Sequence, residues 1–216
     1  MLFRNHYHRF RQRKDYTELK AQNQYMDVLI SNDPDAPWGY VRIFPQEADK
    51  FKNRILDAAK RVPAGGFIPG CFIHETCIYK YSKGQKEPEQ KKFFTPIGLV
   101  FLQGDLEKTR DFLAKYMREK EYYLVKDKAT GRIAKISNSQ MTPFRNAINV
   151  NPKMITYFDN PISHFKEYAR IRILSGILAG QTGYYVRYKR DRKLVMDMAG
   201  MTIAYGNIHQ EEFEFI

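Results

Sequence analysis

The sequence predicts an α+β protein in two parts, an α/β sandwich followed by a small five-stranded antiparallel β-barrel. Three observations predict it. Residues 36–149 read in the order strand, helix, strand, strand, helix, strand, with one more helix at the end. Residues 150–167 are Asn-rich and carry Pro152 and Pro161, the composition of a linker. Residues 168–216 alternate apolar and polar positions between glycine-marked turns, the period-two pattern of half-buried strands.

Residues 1–35 form a basic N-terminal extension, with Arg4, Arg9, Arg11, Arg13 and Lys14 interspersed with His6 and His8. Residues 32–37 are a turn-rich entry. Residues 38–44 read as a strand with Trp38 and Tyr40 on one face, and Pro45 suits the helix start that follows. In the helix at 47–61, Phe51, Ile55, Ala58 and Ala59 recur at helical spacing, with acids early and Lys60 and Arg61 late. A Pro-Gly break precedes a long strand over 67–81. Residues 82–92 are charged and read as a loop, and 93–102 are strongly apolar, as a central strand is. Gly104-Asp105 caps a second helix whose stripe is Leu106, Phe112, Leu113, Tyr116 and Met117. Short strands at 122–125 and 132–136 follow. Ser137 to Ser139 then caps a last helix through Met141, Phe144 and Ile148. This order is that of a ferredoxin-like sandwich with its helices on one sheet face.

The C-terminal part predicts strands near 169–174, 183–188, 193–198, 201–205 and 211–216. Ile171 and Ile173 alternate with Arg170 and Arg172, and Tyr184, Val186 and Tyr188 run back after a turn marked by Gly176, Gly180 and Gly183. Ala199-Gly200 is a two-residue hairpin turn, and Lys189 to Arg192 a charged one.

The chain has 216 residues, 43% of them hydrophobic, which suffices for a core. Its 36 Lys and Arg exceed its 24 Asp and Glu, and the net charge of +12 predicts a polyanionic partner. Cys71 and Cys77 make no disulfide framework and lack metal-ligand spacing. Residues 1–14 carry no apolar signal core, and the run 93–102 is broken by Thr95, Pro96 and Gly98. The expectation is a cytoplasmic protein with no membrane association.

The stretch from Arg170 to Tyr188 resembles the KOW motif, with Gly180 and Gly183 at its two turn glycines and Ile171, Ile173 and Val186 at its apolar positions. Trp38-Gly39-Tyr40-Val41-Arg42 is similar to the aromatic first strand of the NGN domain. Residues 93–101 are similar to that domain's Phe-Pro-Gly-Tyr-Val-Phe strand, with Leu99 where the family has Tyr. Residues 136–144 resemble the segment that closes the domain in specialised paralogues. Over residues 36–216 the order therefore resembles the NusG family of transcription elongation factors, and among them the capsule-operon antiterminators of Bacteroides-type bacteria.

The resemblance implies an NGN-like domain at 36–149, a linker at 150–167 and a KOW-like, SH3-like barrel at 168–216. It implies a monomer that docks the clamp helices of RNA polymerase and suppresses pausing. Trp38, Tyr40, Phe94, Pro96 and Gly98 are the candidates for that contact, since buried aromatic anchors dominate protein interfaces. Arg42, Lys91, Lys92, Arg170, Arg172, Arg187, Lys189, Arg190 and Arg192 are the candidates for upstream DNA or nascent RNA backbone. The barrel would recruit a small-subunit ribosomal protein or the termination factor Rho. A KOW-type RNA- or ribosome-binding protein without a polymerase role is the alternative. No cofactor, metal or enzyme activity is implied: His74-Glu75 lacks the second histidine of a zinc motif, and the glycines of the C-terminal turn are followed by no P-loop Lys-Ser/Thr.

Overall fold

The computed structural model describes residues 27–80, 89–94, 98–117, 122–128, 130–151, 154–158 and 160–216. The fold is mixed α+β. Its first sheet contains β1 (Asp27–Leu29), β2 (Trp38–Arg42), β3 (Gly70–Ile73) and β6 (Leu99–Gln103), in the order β1-β3-β6-β2, all antiparallel. Isolated bridges from Trp38 to Ile136 and from Val41 to Leu124 extend this sheet beyond β2. β4 (Glu75–Lys80) and β5 (Glu89–Phe94) form a separate hairpin. The strand expected over 67–81 is thus two strands, and part of the expected loop at 82–92 is strand β5.

Two helices cover one face of the first sheet. Helix α1 (Ala48–Lys60) buries Phe51, Ile55 and Ala58, as its periodicity predicts. Helix α2 (Leu106–Tyr116) starts at Asp105, whose side chain accepts the Lys108 N–H at 2.9 Å. It buries Phe112 and Leu113 against Val41, Cys71, Ile73, Val100 and Leu102.

Helix α3 (Asn138–Val150) lies on the opposite face, contrary to the one-sided arrangement expected. A capping box of Ser137 and Gln140 starts it. Phe144 meets Phe72 and Phe101 edge-on, with ring centroids 6.5 and 5.3 Å apart. Pro143 inside α3 has no N–H for the Ser139 carbonyl. That carbonyl accepts the Gln181 side-chain amide instead, at 2.9 Å, from the C-terminal half.

The C-terminal half contains the five expected strands: β8 (Arg170–Ile173), β9 (Thr182–Tyr188), β10 (Asp191–Met198), β11 (Met201–Tyr205) and β12 (Phe213–Phe215). A sixth, β7 (Ile155–Phe158), comes from the segment expected as a linker and pairs with β11. The order is β12-β8-β9-β10-β11-β7. Among the described residues β12 and β7 stand at opposite edges and do not pair, so the expected closed five-stranded barrel is an open six-stranded sheet. One face, with Ile171, Ile173, Leu194, Met196, Met198 and Ile203, joins Trp38, Tyr40, Phe72, Phe101 and Phe144 in a single core. The other face packs Val186, Val195 and Ala204 under Phe165 of a short 3₁₀ turn at 162–165.

Because both halves share that core, Phe144→Ala should destabilise the protein by about 3–5 kcal/mol. Urea unfolding followed by far-UV circular dichroism and by Trp38 fluorescence should still give one coincident transition for the variant and the parent. Two separated transitions would show that the halves fold independently.

Candidate functional site

The aromatic candidates fall into two groups. Trp38 is 3% exposed and Tyr40 is 1% exposed. The Trp38 indole N–H donates to Asn138 Oδ1 at 2.8 Å, and the Arg145 guanidinium lies over the ring, 5.5 Å from its centroid. The Tyr40 hydroxyl donates to the Ala199 carbonyl at 3.2 Å, and burial pushes its pKa up, with Arg42 pulling the other way. Helix α3 and the C-terminal sheet cover both rings. Tyr40 is thus turned inward, and Trp38 lines a cavity with Leu29, Met141 and Arg145. The Phe94 side chain and Pro96 lie outside the described residues. Gly98 is buried and holds φ +57°, its carbonyl accepting the Ile43 N–H at 2.8 Å. A Cβ there would strike the Ile43 carbonyl oxygen, so glycine is required.

Next to Gly98 in space stands a residue the sequence pattern did not single out. Phe44 directly follows β2 and the Ile43 that bonds Gly98, and it is 65% exposed. Pro45 behind it opens a 3₁₀ turn that leads into α1 and fixes where the strand ends.

The basic candidates are also divided. Arg42 ends β2 and is exposed. The side chains of Lys91 and Lys92, on β5, lie outside the described residues. Arg170 and Arg172 alternate with the buried Ile171 and Ile173, and Arg172 pairs with Glu214 of β12 at 3.0 Å. Arg187 and Arg192 are direct cross-strand partners. The register Ile171 to Gly183 puts Arg187 on the core side of the sheet and Arg170 on the other. The six C-terminal cations thus form two groups, with Lys189 and Arg190 at the tip between β9 and β10. Both tip residues are left-handed, with φ of 49° and 66°.

The two turn glycines serve the backbone. Gly180 has φ +83° and donates its N–H to the Ile173 carbonyl at 2.8 Å. A Cβ on Gly183, inside β9, would strike the Val195 carbonyl oxygen.

A buried polar contact joins the halves. His74 follows β3, is 1% exposed, and its Nδ1 lies 2.8 Å from the Tyr157 hydroxyl of β7. Its Nε2 and the buried Tyr205 hydroxyl have no hydrogen-bond partner. Burial lowers the His74 pKa from 6.5 to about 4, so the ring is neutral at pH 7. It also raises the Tyr157 and Tyr205 phenols. The sequence offered His74 only as a lone histidine on a strand; its partner lies 83 residues away.

Among the described residues no group of three or more His, Cys, Asp and Glu could hold a metal ion. No helix among them is long and apolar enough to cross a membrane. No protein-family model matches the chain, and no curated protein matches its sequence.

Two outcomes are expected here. The unfolded state binds a proton at His74 below pH 6.5, but the folded state does so only below about 4. Stability is therefore full above pH 6.5 and falls as pH drops towards 4, by on the order of 3 kcal/mol. Denaturant midpoints across this range should flatten in His74→Gln; an unchanged slope would assign the pH dependence elsewhere. Replacing Lys189 and Arg190 together by Asn-Gly, the pair this turn geometry prefers, should stabilise the fold by about 1 kcal/mol. The same denaturation measurement checks it, and a loss of stability would contradict the strain argument.

Proposed function

We propose that this protein is a NusG-like regulator of transcription elongation. It binds RNA polymerase through its N-terminal half and promotes processive transcription, as a specialised antitermination factor. One observation supports this reading above the others, the order of the strands. In the unit running from β2 through α1, β3, β6 and α2 to the 124–126 segment, the spatial order is fourth, first, third, second. That is the order of a ferredoxin-like sandwich, the fold expected of an NGN domain. The following five strands run β12-β8-β9-β10-β11, with the Gly180 to Gly183 turn between the first two of them in sequence. A KOW-like module in this position is what the resemblance implies.

With Trp38 and Tyr40 turned inward, the docking surface of this reading is Phe44, beside Gly98. An exposed ring beside the buried Gly98 is suited to fill a pocket on a partner. Arg42, two residues from Phe44, would meet nucleic-acid backbone at the same edge. The C-terminal sheet would recruit the second partner, a small-subunit ribosomal protein or Rho.

A second reading, an RNA or ribosome binder with no polymerase role, is favoured by the cations of the 187–192 hairpin. One measurement separates the two. Purified full-length protein should bind core RNA polymerase in biolayer interferometry, and Phe44→Ala should weaken that binding about tenfold or more. The variant's thermal midpoint, measured alongside, separates a lost polymerase contact from a lost fold. Absence of polymerase binding by the parent would sink the elongation-factor reading.

A further inference from the structure

The C-terminal sheet carries a cluster of rings at the margin of its core, two of them packed against it and one beyond it. Tyr185 of β9 and Phe213 and Phe215 of β12 touch one another, with centroids 5.3 Å apart for Tyr185–Phe213, 5.8 Å for Phe213–Phe215 and 6.5 Å for Tyr185–Phe215. Phe215 is 68% exposed and the other two are half-buried. Phe215 is paired with Ile171, and Ile171 with Gly183, so the three rings rise from the rim of the core-side face.

The same face continues into charge. Arg187 is two residues beyond Tyr185, about 7 Å along the strand. Arg192 lies directly across from Arg187, and both are exposed. Like charges in direct cross-strand register are unfavourable. Among the described residues neither arginine has an acidic side chain within ion-pair distance. The nearby Asp191 alternates to the other face, where its carboxylate meets Lys193 at 3.3 Å and His209 at 4.0 Å. Lys189 and Arg190 add two more cations at the tip, held in a backbone conformation that disfavours them. Among the described residues these four cations have no acidic partner.

An exposed ring cluster continuous with unpaired guanidinium groups fits one ligand chemistry. Bases stack on rings regardless of sequence, and guanidinium groups neutralise the phosphates between them. A duplex keeps its bases stacked inside and offers none to the rings. We infer that Tyr185, Phe213 and Phe215, with Arg187 and Arg192, form a stacking platform for single-stranded polynucleotide. The platform lies in the C-terminal half, uses none of the Phe44 corner, and does not depend on polymerase binding.

Fluorescence anisotropy of the full-length protein tests this, with labelled oligouridylate and oligothymidylate of about twelve nucleotides and a duplex of the same length. The parent should bind single strands in preference to the duplex. Phe215→Ala should weaken binding by about tenfold, and Phe215→Trp should restore it. Replacing both Arg187 and Arg192 by Gln should reduce the slope of log affinity against log salt by roughly 1 to 2. Tighter binding of oligouridylate would assign RNA as the strand, and of oligothymidylate DNA. Equal affinity of the parent and Phe215→Ala would overturn the platform. So would sedimentation showing a parent dimer that Phe215→Ala dissolves, which would make the rim and edge strand β12 a self-association surface. A protein that binds polymerase through Phe44 but ignores both oligonucleotides would refute the platform and leave the elongation reading standing.

Discussion

The rest of the structure depends on a sheet that is apolar on both faces. All five residues of β6 are buried: Val100 and Leu102 feed one core, Leu99 and Phe101 the other. A strand of this kind cannot leave either side in water, because each exposed Phe or Leu would forfeit about 1.5–3 kcal/mol. Helices α1 and α2 cover one side. The second side is too wide for α3 alone, and the C-terminal sheet completes it. The tethered halves expected from the sequence are therefore one packed body, with Tyr40 and Ala199, His74 and Tyr157, and Ser139 and Gln181 bonded across the junction. The first two satisfy polar groups that burial would otherwise strand, and so they fix the register of the two halves more than they add net stability.

With both faces of the first sheet occupied, recognition is left to edges and corners. Phe44 projects where β2 ends, and the ring cluster and basic hairpin project where the second sheet runs past its core. A rigid scaffold presenting a few exposed side chains at its margins loses little conformational freedom on binding. This places the polymerase reading and the polynucleotide inference at separate sites, one in each half.

Much of the fold was legible in the sequence. The stripe of Phe51, Ile55 and Ala58 defined α1, and the alternation through Ile171, Ile173 and Val186 defined the C-terminal strands, because local period follows directly from which side faces water. The failures share a different cause. Residues 89–92 of β5 read as a charged loop because their strand state comes from pairing with β4, which no local pattern encodes. Strand β7 is four residues between proline-marked segments, and only its pairing with β11 makes it a strand. Trp38 and Tyr40 carry the same pattern whether a partner molecule or this chain's own residues cover them. Their covers, Asn138 and Ala199, are 100 and 159 residues away. The division of the basic residues into two faces likewise needs the pairing of Ile171 with Gly183, which no local pattern encodes. Phe215 shows the reverse limit, since alternation marks it as core-facing although the core stops short of it.

The two tight hairpins of the second sheet allow an internal comparison. Each has two left-handed residues between paired strand ends, Met198 with Met201 and Tyr188 with Asp191. The first uses Ala199-Gly200, so its second position is free of strain, and its Ala199 carbonyl is used by Tyr40 inside the junction. The second places Lys189 and Arg190 in the same conformation, so both positions carry the Cβ clash, and flanks them with two facing arginines. Among the described residues the Lys189 ammonium reaches the Tyr188 ring, 5.3 Å from its centroid, and no carboxylate. The first hairpin strains one position and the second strains both. The doubly strained hairpin is also the one continuous with exposed rings, and a bound polyanion would supply a counter-charge that the described residues do not.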